Sequence, residues 1–234
     1  MYNPILVKNY SSIRHLDGSK MDKTDNLLPD YLQSIAIKKV RENSKDRVIV
    51  QEKLDGSNVG VIKIENVLYP ITRSGLLAAN SIYEQHWRFS NWVFENADRF
   101  SELLNNGERI CGEWLMQAHG TRYELSHEPF AVFDIIDFEE NRINYSELKE
   151  RTEKYDFTLP FCLHNEFKSL SIEEGLKLLG KYGKHGAIEP DEAEGLIYRI
   201  ESDDKFNFLA KYVKPNKQNG KYLNENSPIW NWRP

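Results

Sequence analysis

Residues 48–58 read VIVQEKLDGSN, and the rest of the chain is organised around them. Val48 and Val50 alternate with other residue types, the period-2 pattern of a half-buried β-strand. Asp55-Gly56 then breaks the run, and residues 58–64 (NVGVIKI) resume the alternation. Asp-Gly between two alternating runs is a hairpin signal, which places Lys53 on rigid backbone at the hairpin's lip beside small residues. A nucleophilic lysine approaching a phosphate needs such a position, and an ordinary surface hairpin has the same pattern. The context along the chain decides between the two.

Outward from this stretch, Glu65-Asn66 predicts a tight turn, and residues 67–74 (VLYPITRS) a third strand. Pro70 assigns that strand to an edge or a bulge. Residues 48–74 therefore read as an antiparallel meander. On the N-terminal side, residues 16–19 (LDGS) form a turn, residues 30–41 a short amphipathic helix, and residues 43–46 a loop.

Residues 80–106 are the main helical region, with Trp87 and Trp92 read as core and Asn105-Asn106-Gly107 as the stop. Strands follow at 108–115 (ERICGEWL) and 130–138 (FAVFDIIDF), separated by a loop. Residues 145–154 read as a helix. Ser171 with Glu174 three residues on makes a capping box for a helix through Lys181. Residues 194–200 and 206–213 pair across Ser202-Asp203-Asp204-Lys205. The sum is an α+β fold, antiparallel β-sheets flanked by helices.

Composition narrows the classes. The 234 residues are 40% hydrophobic and 29% charged, ordinary values for one globular domain. No apolar run reaches membrane-spanning length, and the start MYNPILVKNY lacks a signal peptide's apolar stretch, so a cytoplasmic protein without membrane contact is expected. Cys111 and Cys162 are far apart and read as buried free thiols. A net charge of −5 argues against a globally basic nucleic-acid binder but allows a local basic cleft. No histidine pair shows zinc-ligand spacing. His119 is a candidate for substrate contact.

Charged or aromatic residues recur at the ends of apolar strands: Lys53 in EKLDGSN, Arg73 in TRSG, Glu113 in CGEW, Phe133 in VFDI, Glu194 in EGLIYR, and Lys211 with Lys214 in AKYVKP. Lys-x-Asp-Gly alone arises by chance. The ordered set, over roughly residues 15–215 and with His15-Leu16-Asp17-Gly18-Ser19 ahead of it, resembles the covalent nucleotidyltransferase superfamily of polynucleotide ligases and capping guanylyltransferases. Within it the chain most resembles the nick-sealing RNA ligases of phages and bacteria.

The resemblance implies a nucleotidyltransferase (ATP-grasp-like ligase) core. It implies ATP-dependent RNA ligation through a lysyl-AMP, with Mg²⁺ or Mn²⁺ and a nicked duplex or broken RNA ends as substrate. Lys53 would attack the α-phosphate, its pKa lowered by Lys211, Lys214 and the metal. Glu113 and Glu194 would meet ribose and metal, Arg73 a phosphate or ribose, and Asn58 the phosphates. Phe133 would stack on the base or simply pack in the core, Glu52 would sit at the base edge, and Asp55 would shape the turn. A DNA ligase, a capping-type guanylyltransferase and a non-catalytic RNA-binding scaffold are the alternatives.

The chain departs from the family's pattern twice. Many family members carry two lysines separated by one residue in the last motif, whereas Lys211 and Lys214 are separated by two residues. A strand puts such a pair on opposite faces, so only one, Lys211 by preference, should face the phosphates. Only 20 residues follow Lys214, which leads to the expectation of one adenylation domain over residues 1–234. No C-terminal OB or helical domain is expected, and a separate protein would supply its function. Trp230 and Trp232 should cap the core, or else offer a stacking surface to RNA.

Overall fold

In the computed structural model, which describes residues 7–38, 45–224 and 227–232, the opening stretch is not a hairpin. Its two halves are β2 (Asp46–Lys53) and β3 (Ser57–Ile64), and they belong to different sheets. Leu54, Asp55 and Gly56 carry the chain from one sheet to the other. A two-residue hairpin turn needs left-handed φ angles, and neither Asp55 nor Gly56 has one. Gly56 is required for a different reason: a Cβ there would lie 2.4 Å from the Trp114 carbonyl oxygen. The meander expected over residues 48–74 therefore contracts to β3 and β4 (Val67–Thr72), joined at Glu65 and Asn66 with φ of 49° and 63°. Pro70 does sit on an edge strand.

The remaining elements, in chain order, are β1 (Arg14–His15), α1 (Asp30–Gln33), α2 (Glu84–Glu95), α3 (Ala97–Leu103), β5 (Arg109–Trp114), β6 (Phe130–Ile136), α4 (Tyr145–Lys154), β7 (Cys162–Glu166), α5 (Ile172–Leu179), β8 (Gly195–Ser202) and β9 (Lys205–Val213). A π-helical turn, Ser34–Lys38, continues α1. Residues 39–41 of the helix expected there, and Asn43 and Ser44 of the loop after it, lie outside the described residues. Among the described residues the strands form one sheet in the order β1-β9-β8-β2-β7 and another in the order β4-β3-β5-β6. All pairings are antiparallel except β1 with β9. The α+β expectation holds.

β2 explains why the sheets face each other. Ile49 joins the core formed with β3, β5, β6 and helices α2–α4, whereas Val48 and Val50 join a second core with β8, α1 and α5. The strand is thus buried on both faces, not half-buried. The first core is aromatic: Phe89, Trp92, Phe100, Trp114 and Phe130 make a series of ring contacts with centroids 5.2–6.5 Å apart, each worth about 0.5–1.5 kcal/mol beyond its buried area. Trp92 is in this core, but Trp87 is 41% exposed. Trp230 and Trp232 pack against the same core as caps.

The Ser171–Glu174 capping box is present, and α5 stops at Leu179 because Gly180 takes φ +76°. The Asp203-Asp204 turn joins β8 to β9 with φ of 49° and 58°. β7 was not expected as a strand: it is a polar edge strand, so it lacks an apolar alternation to read. No helix among the described residues is long and apolar enough to cross a membrane.

Candidate active site

The two sheets meet around a cavity of about 290 Å³. Lys53, the last residue of β2, enters it where the strand leaves its sheet. Pairing brings the other groups in: Asn58 lies opposite Glu113 across β3 and β5, and Ile197 lies opposite Lys211 across β8 and β9. Lys53, Glu52, Asn58, Arg73, Glu113, Phe133 and Lys211 all line the cavity. Glu194 stands behind Lys53, its carboxylate accepting a hydrogen bond from the ammonium at 2.6 Å.

Phe133 reaches the cavity through a bulge. Cys111 pairs with Asp134 and Gly112 with Val132, so Phe133 has no partner across the ladder. An extra residue in one strand re-aims its side chain. Phe133 is therefore a cavity wall, with its ring edge-on to Tyr10 at 5.3 Å.

Three expectations change. Lys214 does not line this cavity. It faces a neighbouring pocket and pairs with Glu192 at 3.3 Å, because β9 ends at Val213 and strand alternation sends Lys211 and Lys214 to opposite sides. Glu52 turns its carboxylate away from Lys53 and accepts the Lys184 N–H at 2.7 Å. Alternation along β2 places Gln51, not Glu52, on the face of Lys53, and the Gln51 amide donates to the Pro160 carbonyl at 3.1 Å. The third change is electrostatic. Burial pushes the Lys53 ammonium down, but Glu194, Glu113 and Asp55 outweigh it, and the net shift is up. The chain's own charges thus hold Lys53 protonated. Lys211 is the lysine that is pushed down, by burial and by Lys53.

The acids respond in kind. Burial, with Glu194 and Asp55 nearby, pushes Glu113 up to about 7 despite Lys53 and the Gly56 N–H, which donates to it at 2.9 Å. Glu194 is raised for the same reason, burial first and Asp55 next. Burial also raises Glu52 to about 7. Among the described residues no group of three or more His, Cys, Asp or Glu is placed to hold a metal ion. Two mutually repelling carboxylates beside Lys53, Glu194 buried and Glu113 half-buried, suit a hard divalent cation that takes its other ligands from phosphate oxygens and water. His119 is 3.1 Å from Gln85 Oε1 and 3.5 Å from Ser57 Oγ, and is outside the cavity lining.

A family model described as RNA ligase matches residues 46–213, from the first residue of β2 to the last of β9. The chain belongs to the RNA ligase family. It is 27% identical over 170 residues to an uncharacterized protein of Methanocaldococcus jannaschii, covering 66% of this chain and 40% of that protein. Among solved structures it is similar to an archaeal ATP-dependent RNA ligase, form 2 (TM-score 0.56, 18% identity, 88% of this chain and 48% of that one). It is also similar to the Naegleria gruberi RNA ligase with PPi (TM-score 0.54, 19% identity, 91% and 61%). At these identities the likeness is one of fold. The chain spans less than two thirds of the length of each of these proteins.

Several residues of this RNA ligase family member escaped the sequence reading. Asp55 does more than shape a turn: its carboxylate pairs with Lys217 at 2.6 Å and accepts the Gly120 N–H at 2.8 Å. The cavity floor is a buried network. Arg199 donates to Asp134 and Glu201 at 2.6 and 2.7 Å, and Tyr10 donates to Asp134 at 2.6 Å. The signal for Arg199 was an arginine inside the apolar run EGLIYRI, which calls for a buried acid partner. Tyr10 and Lys217 carried no local signal, since their partners are 124 and 162 residues away in the chain (134 − 10 and 217 − 55).

Proposed function

We propose that this chain is an ATP-dependent RNA ligase that works through a covalent adenylate on Lys53. The reading is supported by one juxtaposition: the Lys53 amine on Glu194, at the edge of a cavity that also holds Glu113, Arg73, Lys211 and the Phe133 ring. Residues 1–234 act in this reading as one nucleotidyltransferase domain.

Phe133 stacks on the adenine, and Lys211 and Arg73 meet the phosphates, Lys as a point charge and Arg as a fork. The Lys53 ammonium, hydrogen-bonded to Glu194 at 2.6 Å, gives up a proton to water. The freed lone pair attacks the α-phosphorus, an N–P bond forms, the bond to the β-phosphate oxygen breaks, and pyrophosphate leaves. An oxygen of an RNA 5′-phosphate then attacks the same phosphorus, the N–P bond breaks, and Lys53 regains its proton. That transfer leaves a phosphoanhydride between AMP and the RNA; a 3′-hydroxyl then attacks the RNA phosphorus, the anhydride bond breaks, AMP leaves with the hydroxyl proton, and the phosphodiester is made. Glu113 and Glu194 would hold a divalent cation, Mg²⁺ or Mn²⁺, which supplies neutralising charge to the phosphates and relieves the two acids' hold on the Lys53 proton.

The same reading includes RNA repair in the cytoplasm and a separate partner that grips RNA. Sealing by the chain alone as fast as its self-adenylation would remove that partner. The central test is incubation with α-labelled ATP and Mg²⁺. Wild type should retain the label through denaturation, γ-labelled ATP should leave none, and Lys53→Ala should stay unlabelled. Absence of label on wild type, or equal label on Lys53→Ala, overturns the proposal. GTP in place of ATP separates a capping-type enzyme.

A further inference from the structure

A second cleft, about 650 Å³, lies beside the first. The two share Tyr10, Asn58 and Arg73, so one space opens into the other past the Arg73 side chain. Its size falls within the range of small-ligand sites.

The chemistry of its walls is selective. The chain carries 36 acids and a net charge of −5, yet among the described residues no aspartate or glutamate lines this cleft. Among the described residues Arg73 is the one arginine or lysine there. It is oriented by donation to the Tyr10 carbonyl at 3.3 Å and to Ser12 Oγ at 2.9 Å. Hydroxyl and amide groups make up most of the remaining polar wall, among them Thr72, Ser74, Asn80 and Ser81. The nearest acid of α2's first turn, Glu84, is tied to Arg88 at 2.6 Å.

One wall is a prepared aromatic surface. Tyr83 is 46% exposed, its N–H donates to Ser81 Oγ at 3.2 Å, and its ring meets the edge of His86 at 5.7 Å. His86 is held in turn by Ser81 Oγ at 2.7 Å. The tyrosine is therefore braced on one side and open on the other. A neutral, hydrogen-bonding cleft with one guanidinium and one open aromatic ring matches a sugar-phosphate chain with unstacked bases.

We propose that this cleft holds the 5′-terminal nucleotides of the RNA strand that accepts the adenylate, with Arg73 on its terminal phosphate and Tyr83 stacked on a base. The inference rests on the ligase reading above and names its substrate. Covalent connectivity selects this strand over the one bearing the 3′-hydroxyl. After adenylate transfer the nucleotide, the two phosphates and the first RNA nucleotide form one molecule, and the adenine cavity, Arg73 and the cleft follow one another in the same order.

The test uses the full chain and a single-stranded oligoribonucleotide, 5′-phosphorylated and carrying a 3′ fluorophore. Binding is followed by anisotropy, and adenylate transfer is measured separately from the pre-formed lysyl-AMP. Tyr83→Ala should weaken binding and raise KM for the oligonucleotide by roughly tenfold, the loss of one stacked base. Self-labelling with ATP should stay within about twofold, and Tyr83→Phe should restore RNA binding. Unchanged RNA affinity in Tyr83→Ala overturns the proposal, as does equal binding of the 5′-hydroxyl oligonucleotide. DNA of the same sequence bound as tightly overturns the assignment to RNA. If wild type forms no lysyl-AMP, the ligase reading fails, and the dependence of anisotropy on the 5′-phosphate and on Tyr83 still decides for or against the cleft.

Discussion

Replacing Lys217 by methionine tests the link between the tail of the chain and the residues beside the nucleophile. The Lys217 and Asp55 side chains are 6% and 14% exposed and 2.6 Å apart. Methionine keeps the length of the stem and deletes the charge. The substitution also removes the contact to Thr121 Oγ1, which keeps its bond to the Glu192 carbonyl at 3.3 Å. The bond from Lys20 goes to the Lys217 backbone carbonyl and survives. Removing one partner of a buried pair costs about 3–5 kcal/mol, since it leaves an uncompensated charge. Asp55 keeps the Gly120 N–H and a little solvent, so the low end applies, about 3 kcal/mol. For a chain of this size that corresponds to a fall in Tm of about 6–12 °C.

The pH dependence carries the sign. Burial pushes the Asp55 carboxyl up, but Lys217, Lys53 and His119 outweigh it and hold it below its ordinary value of 3.8. A folded-state pKa below the unfolded one stabilises the fold fully above pH 3.8, and the contribution is lost as pH falls through the depressed value. The gap between wild type and Lys217→Met should therefore be largest near neutrality and close in acid. Urea melts of wild type, Lys217→Met, Asp55→Asn and the double variant, at pH 7 and at low pH, supply the coupling energy. A Lys217→Met within about 0.5 kcal/mol of wild type at pH 7, or a double variant equal to the sum of the singles, refutes the reasoning.

The remaining predictions follow from the same contacts. Gly56→Ala should lower stability by about 1–3 kcal/mol, read in a thermal melt, because its Cβ meets the Trp114 carbonyl at 2.4 Å. Self-adenylation should fall as well, since the Gly56 N–H holds Glu113. Lys211→Ala should slow lysyl-AMP formation about 10²–10³-fold, whereas Lys214→Ala, which loses only its pairing with Glu192, should stay within a few-fold; equal losses would contradict the side of β9 each lysine takes. Arg199→Met should cost about 3 kcal/mol, measured in urea, by removing one partner each from Asp134, which keeps Tyr10 and Arg142, and from Glu201, which keeps the Tyr145 N–H. At pH 8 a disulfide reagent should titrate Cys162 in the native protein and leave Cys111 unreacted, since burial pushes the Cys111 thiol up to about 12.

Local chemistry made much of this protein legible in advance. Glu65-Asn66 and Asp203-Asp204 are turns because their neighbours alternate and their residues tolerate left-handed φ. The capping box at Ser171 and the helix over Tyr145–Lys154 are satisfied within a few residues. The family resemblance carried by the ordered strand-end residues grouped Lys53, Arg73, Glu113, Phe133 and Lys211, and all five line one cavity.

Tertiary structure decided what depends on distant partners. Asp55-Gly56 reads as a hairpin turn, yet β2 finds its hydrogen bonds in β7 and β8 and β3 finds its own in β4 and β5. A turn signal states where a chain bends and not which strands then pair. The Phe133 bulge, the turning of Glu52 toward Lys184 and the Asp55–Lys217 pair each arise from contacts across the fold. The charge on Lys53 likewise reflects Asp55 two residues on and two acids from distant segments, Glu194 and Glu113, whose combined field only the assembled cavity defines.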